Sequence, residues 1–177
     1  FNRKQINEGY RLGCQVKIKG DLKIQVPEST LSVKKLECEV ISNHNVATYI
    51  KEFTVKLPEG EHLDFKSGEY IQIDIPAYEL DFRDIDVEAE FKEEWEQYGF
   101  FGLHCSNPEA TVRAYSMASY PAEGDIIKLN IRIATPPFDR SAPKGSNKLL
   151  PVNPGIASSY IFARKPGDKV MISGPFG

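Results

Sequence analysis

The chain has 177 residues, 41% of them hydrophobic, and a formal net charge of -3 with acids and bases both scattered. That length suits one domain with ragged ends and one packed core, and the charge balance gives no electrostatic reason to expect a nucleic-acid partner. No apolar run approaches the roughly 20 residues needed to cross a bilayer, and Phe1-Asn2-Arg3-Lys4 opens with neither a signal peptide nor an initiator Met, which reads as a soluble fragment.

The first thirty residues differ in character from the rest and stand apart as a remnant of a preceding domain, leaving 31–177 as the main body. From there the dominant signal is period-two alternation, the mark of strands that cover a core on one side only. It runs through Leu36, Cys38 and Val40, then Phe53, Val55 and Leu57, then Ile71, Ile73 and Ile75. A long insertion, about 77–110, follows. Within it Val87, Phe91, Trp95 and Tyr98 fall at helical spacing, with Asp86 placed to cap the start and Gly99 to end it. Val112 to Ala118 and Ile127 to Ile133 predict two more strands. Pro136 to Pro154 is rich in Pro, Ser and Lys and reads as a mobile loop. Ile156, Tyr160 and Ala163 predict a second helix, stopped by Lys165-Pro166-Gly167-Asp168, and Lys169 to Ser173 a last strand. Six such strands between Gly/Pro turns predict a mainly β fold, a closed or nearly closed six-stranded antiparallel barrel with a capping helix and a helical insertion.

Cys14, Cys38 and Cys105 are odd in number, widely spaced and without a C-x-x-C pair, so neither a zinc site nor a disulfide framework is indicated. His44, His62 and His104 are scattered surface candidates, Trp95 is a core anchor of the insertion, and the acidic run from Glu88 to Glu96 is a solvated helix face.

Two segments carry chemistry. In Arg113-Ala114-Tyr115-Ser116, residues two apart share a strand face. A guanidinium there can fork onto phosphate, the neighbouring ring can pack on a flat heterocycle, and the next hydroxyl can bond a ring edge. An exposed Arg beside a half-buried Tyr is the plainer reading of the same four residues. Pro154-Gly155-Ile156-Ala157-Ser158-Ser159 opens the second helix with small residues. Gly155 and Ala157 allow close approach of a ligand to the backbone, the helix start attracts an anion, and Ser158 adds a hydroxyl donor. An ordinary Ser-capped helix is the alternative.

Two further turns, Phe65-Lys66-Ser67-Gly68-Glu69-Tyr70 and Lys165 to Gly177, feed strands. Taken in order, the four segments resemble the ferredoxin–NADP reductase superfamily, with its F-x-x-G-Q-Y, R-x-Y-[ST], G-x-x-S and P-G-D-x-V-x-I-x-G-P-x-G. The resemblance covers Leu36 to Gly177, with Glu69 where Gln is usual. Finer stretches are similar to the F subunits of sodium-translocating NADH:quinone reductases. These are the insertion through Trp95 into Phe100-Phe101-Gly102-Leu103-His104-Cys105, the run Arg113 to Pro121, and the run Leu129 to Pro137.

The resemblance implies an FAD-binding oxidoreductase domain. Its flavin passes electrons from NADH to a 2Fe-2S cluster and on to quinone in a bacterial inner-membrane complex, on the cytoplasmic face. It assigns Arg113 and Ser158 to the FAD pyrophosphate, with backbone help from Gly155, Ile156 and Ala157. It assigns Tyr115 to the isoalloxazine, Ser116 to the N5 edge where hydride arrives, and Asn130, Ile131 and Arg132 to the pyrimidine edge. Cys14 then matches the last 2Fe-2S ligand of a plant-type ferredoxin domain, a cluster expected in the full-length protein only, with no metal in this chain. Tyr10 to Gln15 and Asp21 to Pro27 match two strands of that domain. The implied partners are the ferredoxin and NADH-binding domains of the same polypeptide, the latter expected after 177, and the other subunits of the quinone reductase. The rivals are the FAD domain of a soluble oxygenase reductase and a non-redox barrel that presents aromatics and Arg to a polymer or protein.

Overall fold

A computed structural model describes residues 1–25, 33–143 and 145–177. The chain divides into two compact units, Phe1–Ser32 and Val33–Gly177.

In the first unit, helix α1 (Arg3–Asn7) is closed by a capping box. Gln5 N–H donates to Asn2 Oδ1 at 2.9 Å and Asn2 N–H to Gln5 Oε1 at 3.0 Å. Cys14 sits exposed in a 3₁₀ turn, Gly13–Gln15. The strand expected over Tyr10 to Gln15 is therefore not formed. Asp21 to Gln25 has no regular structure either, while the rest of that second expected strand, from Val26, lies outside the described residues. The reason is visible in the side chains. Tyr10, Leu12, Val16, Ile18, Leu22 and Ile24 are all at least half exposed, and an extended segment with nothing to pair or pack against is not stable as a strand.

Among the described residues the second unit contains eight strands: β1 (Lys34–Ala47), β2 (Ile50–Lys56), β3 (Tyr70–Ile75), β4 (Tyr78–Asp81), β5 (His104–Asn107), β6 (Thr111–Ser116), β7 (Ile126–Arg132) and β8 (Lys169–Phe176). Two helices join them, α2 (Ala89–Gln97) and α3 (Ile156–Phe162). Six strands form one sheet in the order β6-β3-β8-β1-β2-β7, antiparallel at every step. The alternation read from the sequence is what buries one face. Cys38, Val40, Phe53, Val55, Ile71, Ile73, Ile75, Ile127 and Leu129 are all fully buried, while the residues between them stay wetter. All six expected strands are present in this sheet.

The expected closure is less complete than a barrel requires. Among the described residues no ladder joins the edge strands β6 and β7. The two edges meet just past β6, where Ala118 N–H donates to the Lys128 carbonyl at 2.8 Å and Lys128 N–H donates to Ser119 Oγ at 3.2 Å. The chain then leaves the edge for the turn Pro121–Glu123, too early for a second rung.

The insertion is not purely helical. Its ends pair as the hairpin β4–β5, with α2 between them; each strand has only four residues, too few for alternation to register. Asp86 does not cap α2. Glu88 holds the N-cap position without a side-chain cap bond; its carboxylate accepts instead from Asn45 N–H at 2.9 Å. The Asp86 carbonyl accepts from the buried ammonium of Lys51 at 2.5 Å, and burial holds the Lys51 pKa below its usual value. Gly99 ends the helix as expected, at φ 69° in the left-handed region that favours glycine. Trp95 is fully buried.

The loop predicted as mobile is tied down. Phe138 and Leu149 form a bridge, and Asn147 Nδ2 donates to the Gln97 carbonyl at 2.8 Å.

Candidate functional site

On β6, Arg113 and Tyr115 share a face, as strand geometry requires. Arg113 is exposed, its Nη1 donating to Thr111 Oγ1 and the Val112 carbonyl, both at 2.8 Å. Tyr115 is half-buried against the core, and that burial raises its phenol pKa. The two side chains look across an open groove of about 430 Å³ at the first turn of α3, Gly155 to Ser158; Arg132, at the end of β7, completes the wall. Three sequence-distant segments thus converge on one groove.

The first turn of α3 is built by packing. Gly155 N–H donates to the Ala134 carbonyl at 2.7 Å, and a Cβ on Gly155 would lie 2.6 Å from Ala134 Cβ. The glycine is thus required by the approach of two protein segments. Ala157 is turned into the core at 7% exposure. Ser158 Oγ accepts from Ala134 N–H at 3.0 Å and donates to the Gly155 carbonyl at 3.1 Å. Its hydroxyl therefore ties the helix start to β7's exit, and its proton points inward, where the sequence reading had it donating outward. The hairpin β4–β5 holds the same turn from the other side. Ser106 N–H donates to Asn153 Oδ1 at 3.0 Å, Asn153 Nδ2 to the Ser106 carbonyl at 2.9 Å, and Tyr78 Oη–H to the Ile156 carbonyl at 2.5 Å. Nothing in the sequence signalled this clamp, because the pairing depends on the fold of the insertion.

Gly155→Ala should therefore cost about 1–3 kcal/mol by overpacking, measurable by urea denaturation. A variant as stable as the parent would mean that the Ala134–Gly155 approach is looser than the structure has it.

The remaining expected site residues lie elsewhere. Ser116 ends β6, exposed and opposite Tyr70, outside the groove lining. Asn130 is exposed opposite Glu52. Ile131 is 1% exposed, so its side chain belongs to the core and only its backbone remains for a ligand. Of that trio, Arg132 alone reaches the groove. Cys14 lies in the first unit. Among the described residues no group of three or more His, Cys, Asp or Glu could hold a metal ion, and no helix is long and apolar enough to cross a membrane. A larger open depression, about 640 Å³, lies between Glu37, Lys56, Glu59 and Lys169. Lys169 is paired there with Glu39 at 2.6 Å, and the depression offers no aromatic surface.

The fold, a six-stranded antiparallel sheet with few helices, has a counterpart among solved structures. It is similar to the cytochrome b5 reductase domain of Ulva prolifera nitrate reductase, with a TM-score of 0.51 at 16% identity, covering 81% of this chain and 40% of that one. In sequence the chain resembles, over its whole length, the F subunits of Na(+)-translocating NADH-quinone reductases. It is 51% identical over 177 residues to that subunit from Serratia proteamaculans, of which it spans 41%. It is 48% identical over 177 residues to that of Marinomonas sp., again spanning 41%, and 50% identical to that of Alteromonas macleodii, spanning 55%. The chain thus spans about half the length, or less, of these curated relatives. No family model matches it.

Proposed function

We propose that this chain is the FAD-binding domain of an NADH:quinone oxidoreductase subunit of the sodium-translocating kind. The observation that carries the reading is the groove, where Arg113, Tyr115 and Arg132 meet the first turn of α3. Two guanidiniums and a helix start suit two linked phosphates better than one, and a half-buried ring suits a flat heterocycle. The flavin, when bound, supplies hydride acceptance and one-electron transfer. The chain's own residues bind and orient it. Arg113 and Arg132 hold the phosphates, with the backbone of Gly155 to Ser158. Tyr115 packs on the ring. Ser116 is assigned to the N5 edge, and the backbone of Asn130 and Ile131 to the pyrimidine edge. The bond from Ala118 to Lys128 supports closure of the sheet into a barrel at that corner.

Electrons would run from NADH through the flavin to a 2Fe-2S cluster in the full-length protein, with Cys14 among its ligands, and on to quinone within a bacterial inner-membrane complex at its cytoplasmic face. The similarity to the F subunits supports this over a soluble oxygenase reductase.

Flavin released by denaturing the purified chain should run as FAD on chromatography. Finding only FMN would overturn the diphosphate assignment. A protein that takes up no flavin from an FAD solution would favour the non-redox binding module instead.

A further inference from the structure

The outer face of the hairpin β4–β5 carries a row of side chains that the groove does not use. His104, on β5, stands between two carboxylates of β4. Its Nδ1 lies 3.0 Å from Asp81 Oδ1 and its Nε2 2.7 Å from Glu79 Oε2. A carboxylate oxygen only accepts, so both ring nitrogens have to donate, and the ring that fits between them is the imidazolium. The two acids, Asp81 first and Glu79 second, raise the His104 pKa above its ordinary 6.5. They are the charged groups that face it. Helix α3, which packs against β5, contains no charged residue, and Arg83 and Asp84, in the turn after β4, form no ion pair with the ring among the described residues.

The row does not stop at the ring. Glu79 Oε1 accepts from Ser106 Oγ at 2.7 Å, and the Ser106 backbone holds Asn153 by the pair of bonds that clamps the entry to α3. Asn153 stands just ahead of Pro154 and Gly155 in the chain. A chain of contacts therefore runs from an exposed imidazolium to the turn assigned to the diphosphate, and its first link titrates near neutral pH. The hairpin needs these side chains, since β4 and β5 have four residues each and so short a two-stranded ladder is marginal alone.

We infer that His104, in its doubly protonated form, is a positioning residue for the diphosphate-binding turn: it fixes Glu79, Glu79 fixes Ser106, and Ser106 with Asn153 sets the first turn of α3. FAD affinity then falls as the ring loses its proton. The inference rests on the reading of the groove as a diphosphate site and gives the insertion a role in it. With the proton gone, one nitrogen turns a lone pair on a carboxylate, and Asp81 and Glu79 lose the cation between them. The bridged ring holds its proton more tightly than a free one, so the hold is complete below about pH 6.5 and is lost as the pH rises through the raised value. The pairs are exposed, and Tyr78 keeps its own bond to the Ile156 carbonyl, so the turn loosens without opening. The expected loss is about two- to fivefold in FAD affinity, the scale of exposed ion pairs.

The test is FAD titration of the purified chain by flavin fluorescence, at fixed ionic strength, for the parent, His104→Gln and Asn153→Ala. Titrations at about pH 6 and about pH 9 bracket the His104 transition. The parent should bind about two- to fivefold more weakly at the higher pH. Both variants should bind no better than the parent does at high pH, and without its pH slope. In NMR titrations FAD should raise the His104 pKa in the parent, by the reciprocity of linked binding, and leave it unmoved in Asn153→Ala. A merely structural role for either residue predicts neither result. A flat parent profile, the parent's slope surviving in His104→Gln, or an FAD-induced shift surviving in Asn153→Ala would each overturn the inference. If the parent takes up no FAD, the groove reading falls on its own, and hydrogen exchange at the Gly155 amide, corrected for its intrinsic pH dependence, decides the positioning. Protection that drops at high pH in the parent but not in His104→Gln upholds it, and protection equal at both pH values overturns it.

Discussion

Trp95→Ala should lower the unfolding free energy of the Val33–Gly177 unit by about 3–5 kcal/mol. That is a large share of the roughly 5–15 kcal/mol typical of a domain. Trp95 is fully buried and packs against four rings. Phe101 lies at 5.4 Å, Phe100 at 5.8 Å nearly perpendicular, Phe162 at 6.2 Å and Phe82 at 6.3 Å. The ring therefore joins the insertion to α3. Its indole Nε1–H donates to the Thr48 carbonyl at 2.7 Å, in the turn between β1 and β2. Deleting it opens a cavity and removes the best partner of that carbonyl, which keeps only a 3.4 Å bond from Asn45 Nδ2. Trp95→Phe separates the two terms. It should restore most of the packing and retain a loss of about 1 kcal/mol from the hydrogen bond. Trp95 is the chain's one tryptophan, so the variants have to be followed by far-UV circular dichroism in urea. A loss under 1 kcal/mol for the alanine variant would contradict the packing around the ring.

The same residue shows what was legible in the sequence. Trp95 as a core anchor, the six sheet strands and the Gly99 stop all follow from local signals: helical spacing, period-two alternation and a residue that tolerates positive φ. The Arg113–Tyr115 pair was legible for the same reason, since sharing a strand face is a property of two residues alone. What could not be read depends on tertiary register. Arg132 reaches the groove because β7 pairs along β2 with Arg132 opposite Ile50, whereas alternation alone assigned it to a strand with Asn130 and Ile131. Ser158 points inward because Ala134 passes within hydrogen-bonding distance of it, a contact across 24 positions. Hydroxyl direction at a helix start has no sequence signature, and an Asp two residues before a Glu gives no sign of which one the helix will begin from.

Arg113→Ala should weaken FAD binding about ten- to a hundredfold, the cost of a charge-assisted phosphate contact at roughly 1.5–3 kcal/mol. The fold should be untouched. The side chain is exposed, and its hydrogen bonds within the protein are short-range ones to Thr111 and Val112, with no long-range partner to lose. Arg113→Lys keeps the charge but not the planar two-pronged donor, so it should recover only part of the loss. Arg132→Ala should cost a similar amount, and the pair discriminates between two arrangements. If both guanidiniums grip one diphosphate, removing one lets the ligand shift against the other. The double variant should then deviate from additivity by at least about 0.5 kcal/mol, as neighbouring sites on one ligand do. If they serve separate ligands, the two losses should add. FMN, with a single phosphate, should respond to one of the two substitutions far more than to the other. The measurement is flavin fluorescence titration at fixed ionic strength, since phosphate contacts weaken with salt. Unchanged FAD affinity in Arg113→Ala would remove Arg113 from the site and leave the groove without the residue that first marked it.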